Sequence, residues 1–277
     1  MAAPGRSTDA SRAYFAGDGD VLLPDPVAQG PWGPTISGHV VGGVLARGLE
    51  NAAATDDLLP ARLTVDLLRP TAIAPLEVRT AIQREGRRLR LVDAAILQDD
   101  VVVARASCVF VRRGEQPTGD VWSTPVTMPP LPPDPPAQAE DLPMYVWGYG
   151  GENPAGGSMG FIEWHDAAGP KYAWVKQVRT LVAGEPVSPF VMAAMAADAT
   201  SALTHWGTGG LRYINADYTL TLTRLPHGDH IGLATLAHSS HDGVASGVAA
   251  VFDEHGPIGN SMAVALVNPA ESFQPKM

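Results

Sequence analysis

Two stretches of this 277-residue chain can be laid over one another. "ARLTVDLLRP" begins at Ala61 and "ADYTLTLTRLP" at Ala216, and Ala61, Thr64 and Arg69 then fall on Ala216, Thr219 and Arg224, each 155 residues later. Ser107 falls on Ser261 at an offset of 154, and Ser37 on Ser188 at 151. A repeat of this length with one element order marks a duplicated domain, and small drifts in offset are what loop insertions produce.

Each copy holds an apolar helix followed by strands. The first helix, "SGHVVGGVLARGLE" from Ser37 to Glu50, carries glycines at 38, 42, 43 and 48. Glycine costs a helix about 1 kcal/mol relative to alanine, so four of them imply close approach by neighbouring backbone or side chains. The second, "SPFVMAAMAADATSALTHW", has Ser188 as N-cap and Pro189 at the first helical position. Helices are expected near 38–54 and 189–206. Being apolar nearly all round, both must be buried.

Period-two alternation and β-branched residues predict four strands after the first helix: "ARLTVDLLRP", "LEVRTAIQREG", "RRLRLVDAAILQDD" and "VVVARASCVFVRR". "REG" and "QDD" read as turns. In the second half, "MGFIEWHD" and "KYAWVKQVRTLV" precede the helix, and "INADYTLTLTRLP", "HIGLATLAHSSHDG", "VASGVAAVFDEHG" and "PIGNSMAVALV" follow it. Between the halves, "GEQPTGDVWSTPVTMPPLPPDPPAQAEDLP" has too much proline for a sheet interior and predicts a surface linker over both halves. A curved antiparallel sheet wrapped around a long helix, twice, is an α+β double hotdog, with repeats at 10–113 and 140–268 and the linker at 114–139.

Composition narrows the function. The net charge of −10 argues against a nucleic-acid partner. Cys108, alone, excludes an internal disulfide or cysteine zinc site and reads as a buried thiol. There is no signal-peptide h-region and no apolar run of membrane-spanning length, so a cytoplasmic protein with no membrane partner is expected.

The chain resembles the acyl-CoA thioesterase II family. "SGHVVGGVLARGLE" is similar to that family's Gly-Gly-Gln-Val-Val-Gly helix motif, Asp198 stands isolated in the second helix, and "NADYTLTLTRLP" is similar to its Asp-His-Ser…Phe-His-Arg-Pro strand. The resemblance implies hydrolysis of acyl-CoA by activated water, with no metal or cofactor. It implies a catalytic Asp at Asp198, with Asn215 at the family's Thr position. Ala263 stands where the family has a water-orienting Gln, a departure that keeps a non-catalytic acyl-thioester binding protein as the alternative. Ser261, two residues earlier, could supply a hydroxyl. Relatives often pair, so a homodimer is expected.

The residues themselves argue in parallel. Asp198 sits in an apolar helix, where desolvation raises a carboxylate pKa toward that of a general base; the bland reading is a structural ion pair. Asn215 can orient water, or merely form a turn; Asp217, near a strand start, is the weaker acid. Gly38 and His39 begin the first helix, where unpaired N–H groups suit a developing oxyanion. Their counterparts across the repeat differ: Asp198 aligns with Arg47 and Asn215 with Pro60, so one working pocket per chain is expected. Arg84, Arg87, Arg88 and Arg90 could meet coenzyme A phosphates or simply solvate a hairpin. Ser158 in "GGSMG" lacks the strand–helix context of a nucleophile elbow. His238 and His241, three apart on a strand, face opposite sides and do not chelate together. An enoyl-CoA hydratase would need a histidine near Asp198, and His205 is nearly two turns away.

Overall fold

The computed structural model describes residues 13–18, 21–53, 55–134, 142, 144–150, 158 and 169–268. The first half runs β1 (Ala13–Asp18), β2 (Val21–Pro24), a 3-10 turn at Pro26–Ala28, α1 (Gly38–Ala53), β3 (Leu58–Leu67), β4 (Leu76–Glu85), β5 (Leu89–Gln98) and β6 (Val101–Arg112). The second half opens with β7 (Met144–Gly150), β8 (Lys171–Gln177) and β9 (Thr180–Val182). Its helical region is α2 (Pro189–Ala197) and α3 (Ala199–His205). The minor pair β10 (Trp206–Gly207) and β11 (Gly210–Leu211) follows, then β12 (Tyr213–Asn215), β13 (Asp217–Leu222), β14 (His230–His241), β15 (Val244–Asp253) and β16 (Gly256–Val267). The expected strand "MGFIEWHD" lies outside the described residues, and β7 is a strand the sequence reading does not predict.

Among the described residues, fourteen strands form one sheet, in the order β7-β8-β14-β15-β16-β13-β3-β6-β5-β4-β2-β1-β9 with β12 on β16. The halves join where β13 pairs antiparallel with β3, and Thr219 is directly opposite Thr64 with their hydroxyls 3.2 Å apart. Two residues matched at the 155-residue offset thus lie directly opposite one another. The repeat also carries a bulge. Pairing of β3 with β6 slips between Pro60 and Arg62, passing over Ala61. The registers of β12 and β13 on β16 slip across Ala216, the counterpart of Ala61. One sequence match is corrected. Thr64 pairs with Ser107 and Thr219 with Met262, so the partner of Ser107 is Met262, not Ser261. A slip of one residue puts a side chain on the opposite face, and Ser261 is buried where Met262 is exposed.

The sheet curls until its ends are close. β8 pairs with β14 of its own half, and β9, a few residues on, runs parallel to β1 of the other half. The two helices are enclosed by this wrap. Val40, Val44, Leu45 and Leu49 of α1 and Phe190, Ala193, Ala194 and Met195 of α2 are fully buried, each large side chain contributing roughly 1.5–3 kcal/mol. Part of the proline-rich segment is described against the second half. Its 126–134 segment lies on the outer face of the second half, where Met128 packs near Trp174 and the Trp174 indole donates to the Pro129 carbonyl at 3.0 Å. No helix among the described residues is long and apolar enough to cross a membrane.

The helical glycines of α1 are explained by contacts. A Cβ on Gly42 would lie 1.8 Å from the Tyr218 hydroxyl oxygen, which donates to the Ala194 carbonyl; one on Gly43 would lie 2.7 Å from Met195. We expect Gly42→Ala to destabilise the fold by about 1–3 kcal/mol through overpacking, and Tyr218→Phe added to it to recover part of that loss, as read by denaturant unfolding. An unchanged midpoint in Gly42→Ala would contradict the close-contact account.

Candidate active site

The second helix is expected as one piece; it divides at Asp198. Ser188 caps the start, its Oγ accepting from the Val191 amide at 3.1 Å, and Pro189 follows. Asp198 keeps αR dihedrals (φ −59, ψ −32) but stands between α2 and α3. The Ala197 carbonyl, released at the break, accepts a hydrogen bond from Ser261 Oγ at 3.3 Å. Ser261 is 1% exposed, so this buried serine holds the junction that aims Asp198.

The Asp198 carboxylate crosses to the first half. It lies against Gly38, where an added Cβ would come within 2.7 Å of Oδ1 and 2.9 Å of Oδ2. Asn215 Nδ2 donates to Oδ1 at 2.9 Å, and the His39 backbone amide donates to the carboxylate. The Ser37 carbonyl accepts from the Val40 and Val41 amides, so His39 N–H belongs to the unpaired first turn of α1. The Ala216 bulge sits immediately after Asn215 and turns that side chain toward the helix. Burial pushes the Asp198 pKa up from 3.8 to about 6, against the opposing hydrogen bonds from Asn215 and His39.

Gly38, His39, Asp198 and Asn215 therefore converge, although His39 does so by its backbone. Its imidazole is buried, with Nδ1 2.7 Å from Ser37 Oγ and Nε2 3.3 Å from the Tyr14 hydroxyl. Burial lowers its pKa to about 4, so the ring is neutral. Ala263 is fully buried and offers no polar group. Asp217 is a half-buried strand splice, its Oδ1 accepting from the Val264 amide at 2.7 Å. Arg90 is at the other end of α1, donating to the Ala53 carbonyl and to Glu85, roughly 24 Å along the helix from Gly38. Ser158 is an exposed coil residue. His238 pairs with His205, Nδ1 to Nδ1 at 3.0 Å, and His241 is exposed; this contact between helix end and strand has no signature in local spacing.

At the first-half position that the sequence offset aligns with Asp198, the chain carries an ion pair. Arg47, the counterpart of Asp198, forms a bidentate pair with Glu185, both bonds 2.7 Å, beside the Ser188 end of α2. Only a cavity of about 70 Å³ is left there.

A single antiparallel-dominated sheet wrapped around apolar helices, with a carboxylate at a helix start, defines a hotdog-fold protein. Comparison with known proteins agrees. Residues 28–111 match the family model of the acyl-CoA thioesterase N-terminal domain, and residues 123–267 that of the acyl-CoA thioesterase C-terminal domain. The chain belongs to the acyl-CoA thioesterase family and is a thioester hydrolase. Its fold is similar to that of the tesB protein of Mycobacterium avium subspecies paratuberculosis, at 15% identity and TM-score 0.63, covering 90% of this chain and 93% of that one. It is similar to a hot dog fold protein from Alicyclobacillus acidocaldarius, at 15% identity and TM-score 0.64, covering 94% and 97%. It is also similar to the acyl-CoA thioesterase II TesB2 of Mycobacterium marinum, at 16% identity and TM-score 0.58, covering 92% and 95%. No curated protein matches the chain in sequence.

The raised pKa makes a stability statement. Above pH 6 the folded state holds a carboxylate it would rather protonate; between about 6 and 3.8 the folded protein takes up that proton before the unfolded chain does, and the penalty is relieved. Asp198→Asn should therefore be more stable than the parent at pH 7.5, by up to about 3 kcal/mol, with the difference vanishing below pH 4. A variant less stable than the parent at pH 7.5 would make Asp198 a purely structural helix cap.

Proposed function

We propose that Asp198 is the general base of this hydrolase, deprotonating a water that attacks the thioester carbonyl of an acyl-CoA. The observation that supports it most is the carboxylate itself: desolvated, with a pKa near 6, and seated where the two halves meet. A base of that pKa is mostly ionised at pH 7 and still basic enough to take a proton. In this reading Asn215 fixes the orientation of Oδ1, leaving Oδ2 to face the water. The Gly38 amide at the start of α1 stabilises the oxyanion as the carbonyl is attacked. The proton then passes from Asp198 to the departing coenzyme A thiolate, releasing the free acid. The two halves act as tandem hotdog repeats, 10–113 and 140–268, joined by 114–139, with one working pocket because Arg47 and Pro60 replace the acid and the amide in the first half. The site of a hydratase would put a histidine on Asp198; His205 instead engages His238.

Asp198→Asn is expected to lower kcat against acyl-CoA by about 10²–10⁴-fold while leaving acyl-CoA affinity within a fewfold of the parent. Parent-like turnover in that variant would remove Asp198 from the mechanism. A parent protein that binds acyl-CoA without turning it over would select the non-catalytic binding reading, with Ala263 as its cause.

A further inference from the structure

Asp198 interrupts a helix that its neighbours would otherwise continue. In an unbroken α-helix the Asp198 amide would bond the Ala194 carbonyl, and the Ser201 amide would bond the Ala197 carbonyl. Both bonds are redirected. The Asp198 amide points to the Ala196 carbonyl, and the Ser201 amide donates to the Asp198 carbonyl at 3.3 Å. The two carbonyls left over are taken by hydroxyls from the sheet. The Tyr218 hydroxyl of β13 donates to Ala194 at 2.9 Å, and Ser261 Oγ of β16 donates to Ala197 at 3.3 Å. Both side chains are buried, so neither hydroxyl has water as an easy alternative, and breaking either bond would leave a buried polar pair unsatisfied.

The two hydroxyls come from one patch of the sheet. Ser261 is directly opposite Leu220 on β13, and Tyr218 is two residues before Leu220, hence on the same inward face. Tyr218 also touches the other helix: a Cβ on Gly42 would lie 1.8 Å from its hydroxyl oxygen. Gly42 is one turn after Gly38, and Ala194 is one turn before Asp198. The Tyr218 hydroxyl is therefore wedged between α1 and α2 about 6 Å along the helices from the place where the carboxylate meets Gly38.

We infer that Tyr218 and Ser261 are positioning residues for the hydrolytic step: their hydroxyls hold the helix open at Asp198 and so seat its carboxylate against Gly38 and on Asn215. The inference rests on the reading of Asp198 as general base. Without the hydroxyls the Asp198 and Ser201 amides can reclaim the Ala194 and Ala197 carbonyls, the helix closes, and the carboxylate is drawn away from its partners.

Tyr218→Phe and Ser261→Ala each delete one hydroxyl and keep the rest of the packing. With rates compared per folded enzyme, as fixed by denaturant unfolding, each should lower kcat for acyl-CoA about tenfold or more and leave KM within about twofold of the parent. The inflection of the pH–rate profile should move above 6, because the hydrogen bonds that hold the Asp198 pKa down are weakened. In an Asp198→Asn background the same substitutions should lower the residual turnover no further, since they act through the carboxylate. Folded variants with parent-like kcat, an inflection unmoved in both, or equal losses in the two backgrounds would overturn the inference and leave the hydroxyls as partners of buried carbonyls only. Parent-like turnover of Asp198→Asn would defeat the general-base reading and this inference with it. Loss of turnover in Asp198→Asn beside parent-like Tyr218→Phe and Ser261→Ala would defeat the positioning role alone.

Discussion

The contact between the Asp198 carboxylate and the first turn of α1 joins one half of the chain to the other, and it works only because α1 offers no side chain at Gly38. A methyl group there would occupy the space of both carboxylate oxygens. The same economy of volume recurs along the helix, where Tyr218 and Met195 fill the space that side chains at Gly42 and Gly43 would need. Glycines that weaken α1 as an isolated helix are thus what allow α2 and β13 to close on it. Packing of the carboxylate between the two halves desolvates it in part, and that burial raises its pKa.

The two halves meet in a common frame and differ at the site. Thr64 and Thr219 lie directly opposite one another, and both halves keep a bulge, at Ala61 and at Ala216. The residue before each bulge differs in chemistry. In the first half that residue is Pro60, which brings no polar side chain. In the second it is Asn215, which reaches Asp198. Arg47 and Glu185 pair with one another in the first-half position aligned with Asp198.

Much of this is legible in the sequence, for identifiable reasons. The helices show by their apolar character, the strands by alternation, and Asp198 by being a lone acid in an apolar run. The register of the junction is visible in the 155-residue offset, because an identical residue pair faces across it. Other features are not legible because they depend on contacts across the fold. The break at Asp198 follows from Ser261 taking the Ala197 carbonyl, 64 residues away in sequence. The match of Ser107 to Ser261 fails because identity of residue type says nothing about which face a strand presents. The imidazole of His39 turns from the site toward Tyr14, and His205 finds His238, through packing that no local spacing encodes.

The central claim is that a desolvated Asp198 acts as base. It is tested most directly by the pH dependence of kcat/KM for acyl-CoA hydrolysis. His39 and His205 are held near 4 by burial, well away from Asp198 at about 6. The rate should rise with pH, one proton being lost, with its inflection near 6, and then level off. A profile flat from pH 5 to 8, or one whose rise is complete by pH 4.5, would contradict the assignment.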